Sequence, residues 1–318
     1  VEDITVPRRF LIDTDTASDD AVALVMALMH PDVQVEAITV VAGNVPLDQA
    51  VQNALYTVSL TGKQVPVYRG VAGPMLRPLG TAQDVHGNDG MGDIGLPLSG
   101  RVPTPGSAVQ VIIDTINRFA GDITLVTLGP LTNVALALTI DPSLAKKVTR
   151  CVVMGGTWQA YGNVTPVAEY NIWVDPEAAK IVFESGMPLE MVSWDISRLY
   201  AVLTPADAAT MRQLGTPLAQ FCIDIQGRVH DFSVESTQLK GFDLPDPIAM
   251  AVALDPSVAT EVRRLYVAVE TQGDLCRGQT VVDHLNLTKR PANLDVVMVA
   301  DRDKFVQMLT AAVLAPTR

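Results

Sequence analysis

Four carboxylates fall within eight residues at Asp13-Thr14-Asp15-Thr16-Ala17-Ser18-Asp19-Asp20. Apolar runs flank them, Phe10–Ile12 before and Ala21–Met29 after. Negative charge this dense between core-like segments is costly unless a cation offsets it. Oxygen ligands alone suit a hard ion such as Ca²⁺ or Mg²⁺. Helix capping explains part of the pattern, because Ser18 caps well and Asp19 and Asp20 suit the positive end of a helix dipole. It leaves Asp13 and Asp15 unexplained, so the cluster reads as a metal site.

Polar groups recur at other segment ends. Gly43 allows a tight turn that presents Asn44, and Gly129-Pro130 exposes the Leu128 carbonyl, an oxygen able to ligate a cation. The stretch Asn163–Asn171 holds two amides, Glu169 and Tyr170, a set suited to a polyhydroxylated ligand such as a sugar. Asp246-Pro247 opens an apolar helical run, for which an N-cap followed by proline is a sufficient structural account. His86, in a glycine-rich loop, and His230, in an amphipathic stretch, are the general-acid candidates. Tyr161 and Trp158 could line a pocket for a flat base or fill the core of their own loop.

Alternating elements position these groups. Short β-branched runs predict strands at Phe10–Asp13, Val35–Val41, Ile123–Leu128, Cys151–Met154 and Leu189–Ser193. Helical patterns lie at Ser18–Met29, Leu47–Thr61, Ser107–Phe119, Leu131–Thr139 and Pro176–Glu184. Near-continuous apolar strands alternating with helices predict an α/β fold: a Rossmann-like open, mostly parallel sheet covered by helices on both faces. Extra C-terminal helices follow at Pro205–Gln213, Pro217–Val234 and Pro247–Leu254. Strands at Arg264–Glu270 and Asp295–Val299 and a helix at Lys304–Leu314 close the chain. Two long segments, 70–106 and 155–171, break the rhythm. The first carries nine glycines and five prolines. Both follow strand ends, where the rim of an active site belongs.

No linker or repeat divides the 318 residues, so one domain spanning 1–318 is expected. The apolar content of 48% supplies a large core, and no apolar run is long enough for a bilayer. A net charge of −12 argues against a nonspecific grip on nucleic acid or anionic lipid, while leaving small nucleosides open. Cys151, Cys222 and Cys276 are odd in number and form no CxxC, which suits a reducing, cytoplasmic setting.

Taken in order, Asp13-x-Asp15-x-x-x-Asp19-Asp20, Gly43-Asn44, His86-Gly87-x-x-Gly90-Met91-Gly92, Leu131-Thr132-Asn133, Met154-Gly155-Gly156, Asn163–Asn171 and Asp246-Pro247 resemble one family. The chain is similar, from about Arg9 to its last helix, to the calcium-dependent nucleoside hydrolases of the inosine/uridine-preferring group. The resemblance implies cleavage of the N-glycosidic bond of purine or pyrimidine ribonucleosides, in nucleoside salvage, by a homodimer or homotetramer. It implies Asp15, Asp20, Asp246 and the Leu128 carbonyl as Ca²⁺ ligands, with Asp15 also the general base. Asp19, Asn163, Glu169, Tyr170, Asn171 and Met154 would hold the substrate, Asn44 would place the attacking water, and Asp13 would orient the ligands.

One position departs from the family. Its members place a histidine or a tryptophan immediately before the last aspartate, to protonate or stack on the leaving base. This chain has Pro245, so the acid must be His86 or His230, or the substrate must need less help.

Two other functions compete. A haloacid-dehalogenase-type phosphatase would use Asp13 as nucleophile and Asp15 as acid, but it needs a later lysine and acidic pair that are not evident, and Asp19 and Asp20 would repel phosphate. A nucleoside-binding protein without turnover would have no need of Asp15.

Overall fold

The computed structural model describes residues 7–159 and 161–317. Among these, eight strands form the main sheet. They are β1 (Arg8–Thr14), β2 (Val33–Val40), β3 (Val67–Arg69), β4 (Thr124–Thr127), β5 (Arg150–Met154), β6 (Leu189–Val192), β9 (Ala259–Leu265) and β12 (Leu294–Ala300). Two short antiparallel pairs stand apart from it, β7 (Val202–Leu203) with β8 (Phe242–Asp243) and β10 (Val267–Val269) with β11 (Thr280–Val282).

The main-sheet order is β3-β2-β1-β4-β5-β6-β12-β9, parallel throughout except for the edge strand β9. The chain builds outward from β1 through β2 to β3, then returns to β4 on the other side of β1. That reversal opens a crevice beyond the carboxyl ends of β1 and β4, where open α/β sheets bind ligands. The register delivers Asp13 to this edge, opposite Thr39 of β2 and Thr127 of β4.

The mostly parallel, doubly covered sheet agrees with the sequence expectation. On β1, Phe10 and Ile12 enter one core layer while Leu11 enters the other, which is why the strand reads as unbroken hydrophobicity. The first layer holds the helices Ser18–Met29, Leu47–Thr61, Pro245–Leu254 and Arg302–Leu314; the second holds Ala108–Arg118, Thr132–Ile140 and Pro176–Phe183. Ser18–Met29 is buried along its whole length and packs on Pro245–Leu254. Their N-terminal turns carry Asp19 and Asp20 on one and Asp246 on the other. Packing of apolar residues thus joins carboxylates more than two hundred positions apart.

Some boundaries differ from expectation. The run Pro217–Val234 forms two helices, Pro217–Asp224 and Gly227–Glu235. Gly227 disfavours a continuous helix, and Gln226 turns inward to donate its amide to the Ser18 carbonyl at 2.9 Å. The expected strand Arg264–Glu270 divides between β9 and β10. The glycine-rich segment 70–106 is pinned to the body: Val71 N–H donates to Asn133 Oδ1, Met75 N–H to Asp175 Oδ2, and Asn53 Nδ2 to the Asp89 carbonyl.

Candidate active site

Above the crevice lies a cavity of about 260 Å³. Asp19, Asn44, Leu128 and Asp246 line it, whereas Asp15 and Asp20 are not among the lining residues. Asp15 is fully buried, and its Oδ2 accepts a 2.6 Å hydrogen bond from the Asn44 N–H. Its Oδ1 has no hydrogen-bond partner among the described residues. Two glycine backbones flank this carboxylate closely. A Cβ at Gly43 would stand 2.0 Å from Oδ2, and one at Gly129 would stand 2.6 Å from Oδ1. The turns after β2 and β4 therefore hold Asp15 from two sides, an approach that any side chain at either position would block.

Asp13 plays a supporting part. Its Oδ1 accepts from Thr39 Oγ1 at 2.5 Å and Asn133 Nδ2 at 2.8 Å, while its Oδ2 is unpartnered. Asp20 accepts from Thr14 Oγ1 at 2.6 Å and from the Ala17 N–H at 2.9 Å. Asp19, Asp20 and Asp246 each present an oxygen within 4.8 Å of the others, and all three are buried. This trio could hold a metal ion.

The electrostatics suit a bound cation. Burial, then the charge of Asp19, pushes Asp20 up to about 7. Burial, then Asp20, raises Asp15 well above its ordinary value, and the same two causes raise Asp246. Buried carboxylate oxygens this close repel one another unless a proton or a cation sits among them. The N-terminal turns of two helices add positive potential but no formal charge. Three unpartnered oxygens, on Asp13, Asp15 and Asp19, complete a donor set suited to a hard ion.

The expected sugar-binding groups form one wall. Glu169 caps the helix Tyr170–Val174, accepting from the Asn171 N–H at 2.9 Å and the Gly156 N–H at 2.8 Å; burial pushes it up to about 7. Asn171 Nδ2 donates to the Leu128 carbonyl at 2.8 Å and contacts Met154 Sδ at 3.2 Å. Asn163 Oδ1 accepts from the Tyr170 N–H at 2.9 Å. Tyr170 lines the cavity, with its hydroxyl donating to the Gly80 carbonyl at 2.7 Å. That bond ties the glycine-rich segment to the sugar wall.

The two histidines part company. His86 lines the cavity, its Nδ1 3.0 Å from Ser18 Oγ and 3.8 Å from Asp19 Oδ1. Burial lowers its pKa against the raising charges of Asp19 and Asp84, so it is neutral near pH 7. His230 is not among the cavity-lining residues; it is half-exposed, with its ring against Phe242 and Nδ1 near Asp231. Its neighbours Val229, Phe232 and Ser233 face the cavity instead.

Sequence reasoning missed Asp84, Trp194, Phe232 and Asp243, all of which line the cavity. Trp194 opens a helix, Trp194–Tyr200, with no distinctive pattern, and Asp243 sits on the two-residue strand β8. Of the expected aromatics, Trp158 and Tyr161 do not line the cavity, although Tyr161 meets Trp194 edge-on.

Comparison with known proteins matches the model of the inosine-uridine preferring nucleoside hydrolase family to residues 10–307. The pyrimidine-specific ribonucleoside hydrolase RihA of Salmonella paratyphi B is 40% identical over 301 residues, 94% of this chain and 96% of that protein. Among solved structures, a purine-preferring ribonucleoside hydrolase from Gardnerella vaginalis superposes with a TM-score of 0.89 at 32% identity, covering 96% of this chain and 98% of its own. A plant nucleoside hydrolase gives a TM-score of 0.88 at 33% identity, covering 98% of this chain and 100% of its own.

Proposed function

This chain belongs to the inosine-uridine preferring nucleoside hydrolase family, and we propose that its acidic pocket holds Ca²⁺ beside the ribose, with Asp15 as general base. The protein is a ribonucleoside hydrolase, an N-glycosyl hydrolase that splits a ribonucleoside into ribose and free base. The observation that carries the mechanism is the unpartnered Asp15 Oδ1, fixed between two glycine turns beside three clustered carboxylates.

Asp15, Asp20, Asp246 and the Leu128 carbonyl would hold the ion. This offer of carboxylates plus a main-chain oxygen, with sugar hydroxyls to add, suits the high and flexible coordination number of Ca²⁺ better than the octahedron of Mg²⁺. Once bound, the ion supplies a positive field that orients and acidifies a water molecule. Asp19 stands within reach of the same position and is assigned to the ribose hydroxyls, together with Glu169 and Asn171. Asn163, Met154 and Tyr170 complete the sugar wall.

Asn44 fixes Asp15 through its N–H and helps place the water. Asp15 takes the water's proton as the oxygen attacks C1′. Asp13, held by Thr39 and Asn133, steadies the strand end that carries Asp15. Charge develops on the ribose as the glycosidic bond lengthens, as in other glycosidic cleavages, and the surrounding carboxylates stabilise it. His86 is the histidine placed to help the base depart. Its neutral state makes it a weak acid.

A single domain, a cytoplasmic location and a homodimeric or homotetrameric state complete the proposal. Cysteine usage supports the location and family resemblance the other two, and light scattering of the purified protein tests the oligomer. Among the described residues, no helix is long and apolar enough to cross a membrane. The decisive experiment is a reducing-sugar assay over purine and pyrimidine nucleosides, with and without chelator. Turnover that requires Ca²⁺ and falls by about 10²-fold or more in Asp15→Asn is expected, because a general base is removed. Full activity of that variant would exclude Asp15 as the base.

A further inference from the structure

The antiparallel pair β10–β11 stands outside the main sheet, and none of its described residues lines the cavity. Residues 277–284 nevertheless grip both ends of the segment that carries the sugar wall. At the first end the chain turns at Gly156 and Thr157 after β5. Thr280, the first residue of β11, is 5% exposed and meets this turn with one hydroxyl that serves two bonds. The Thr157 N–H donates to Thr280 Oγ1 at 2.8 Å, and the same hydroxyl donates to the Thr157 carbonyl at 2.6 Å. Thr157 is buried, so water is not at hand to replace the hydroxyl. Glycine makes the approach possible: Gly156 has a φ of +73°, and a Cβ there would stand 2.7 Å from Thr280 Cγ2. Beyond β11, His284 Nε2 donates to the Trp158 carbonyl at 2.7 Å.

At the second end the helix Tyr170–Val174 is held in a similar way. The Arg277 guanidinium lies across the Trp173 ring at 4.7 Å, and its Nη1 donates to the Trp173 carbonyl at 2.7 Å. Gly278, with a φ of +85°, again permits contact, since a Cβ there would stand 2.6 Å from Trp173 Cα. Glu169 sits between the two grips. Its Oε2 accepts from the Gly156 N–H and its Oε1 from the Asn171 N–H. One oxygen thus depends on the turn that Thr280 fixes, the other on the helix that Arg277 holds.

Resting on the hydrolase reading above and on Glu169 as a ribose ligand, we propose that β10–β11 positions the sugar wall, with Thr280 as the principal positioning residue. Its hydroxyl sets the turn at Gly156 and Thr157, and through the Gly156 N–H it sets how Glu169 meets the ribose hydroxyls. Thr280 makes its side-chain hydrogen bonds to Thr157 and to none of the proposed metal ligands. Its influence therefore falls on the sugar, whatever the base, and leaves the ion alone.

The test removes the hydroxyl and keeps the shape. In Thr280→Val, the KM of every nucleoside the parent turns over and the inhibition constant of free ribose should rise together by about tenfold, with kcat within about threefold of the parent. Thr280→Ser restores the hydroxyl and should bring both constants back to within about twofold. Ca²⁺ affinity, read by calorimetry without nucleoside, should not change. His284→Ala, at an exposed position, should raise the same two constants by about two- to threefold, and it decides if Thr280→Val does not fold. Because the hydroxyl acts through Glu169, Thr280→Val combined with Glu169→Gln should cost less than the two separate losses together. Unchanged constants in Thr280→Val and His284→Ala overturn the inference. So do a loss that serine does not rescue, a loss of Ca²⁺ affinity, or full additivity with Glu169→Gln. If Glu169→Gln alone leaves both constants unchanged, the fault lies with the sugar-wall assignment, and no turnover of any nucleoside by the parent sinks the hydrolase reading itself.

Discussion

An alanine at position 43 would place its Cβ 2.0 Å from Oδ2, 2.7 Å from Cγ and 2.9 Å from Cβ of Asp15. Carbon atoms essentially never stand closer than 3.0 Å to such neighbours, so the carboxylate or the turn must shift by about 1 Å. Asp15 has little room to retreat, because the Gly129 backbone lies against its other oxygen. The shift also breaks the bond from the Asn44 N–H. A misplacement of about 1 Å in a reacting group can cost about 10²-fold in rate. Gly43→Ala should therefore lower kcat by about 10²-fold, with a smaller change in KM, since the sugar wall is untouched. Overpacking should cost about 1–3 kcal/mol of stability, leaving the fold intact. Reducing-sugar release measures the first and thermal unfolding by circular dichroism the second. Gly73→Ala is the control, because a Cβ there meets nothing within 4 Å. A folded Gly43→Ala enzyme with kcat within about threefold of the parent would refute the placement of the general base.

Metal binding should be coupled to protons. Asp13 and Asp20 ordinarily titrate near 3.8 and are pushed up to about 7 in the fold, so the stability they contribute is fully present below about 3.8 and lost as pH rises through about 7. In chelator, Tm should fall from pH 5 to 7.5, and the Tm gain on adding Ca²⁺ should grow over the same range as the ion replaces protons; a gain that is flat or shrinks with pH contradicts the site. Tyr170→Phe removes the 2.7 Å bond to the Gly80 carbonyl and should cost about 1 kcal/mol, seen in denaturant unfolding, with faster proteolysis within 70–106. His86→Ala should reduce kcat on neutral nucleosides by about tenfold or more, and His230→Ala by less than about twofold, as steady-state kinetics on uridine and inosine will show.

The layered fold was legible because its strands and helices carry their periodicity locally. Residues 18–29 and 47–61 fall where the sequence pattern predicts helices. What escaped was short or decided at a distance. The three residues of β3 and the two each of β7 and β8 are too few to show a period. The break at Gln226 depends on a partner 208 positions away, Ser18. Within 70–106, nine glycines hid any regular pattern, whereas hydrogen bonds with Asn53, Asp175 and Asn133 fasten the segment.

The two halves of the site differ in how a sequence can reveal them. A hard cation needs several carboxylates at one point, and the turn after β1 supplies them contiguously, so Asp13 to Asp20 announce their chemistry. Even the distant Asp246 is marked by its place at a helix start. It joins them because an apolar helix, Pro245–Leu254, can pack closely on Ser18–Met29 and bring two positive helix ends together. Recognition of the base has no such local source. Asp84, Trp194, Phe232 and Asp243 come from four separate segments, each unremarkable in its own neighbourhood. A carboxylate on a two-residue strand looks like any surface residue until burial in the cavity wall gives it meaning. Pro245 was the one local clue, and it registered only as something absent. The cavity turns that absence into a constraint. With no strong acid beside the leaving group, discrimination among bases falls to the side chains that line the cavity there, Trp194, Phe232 and Asp243 among them.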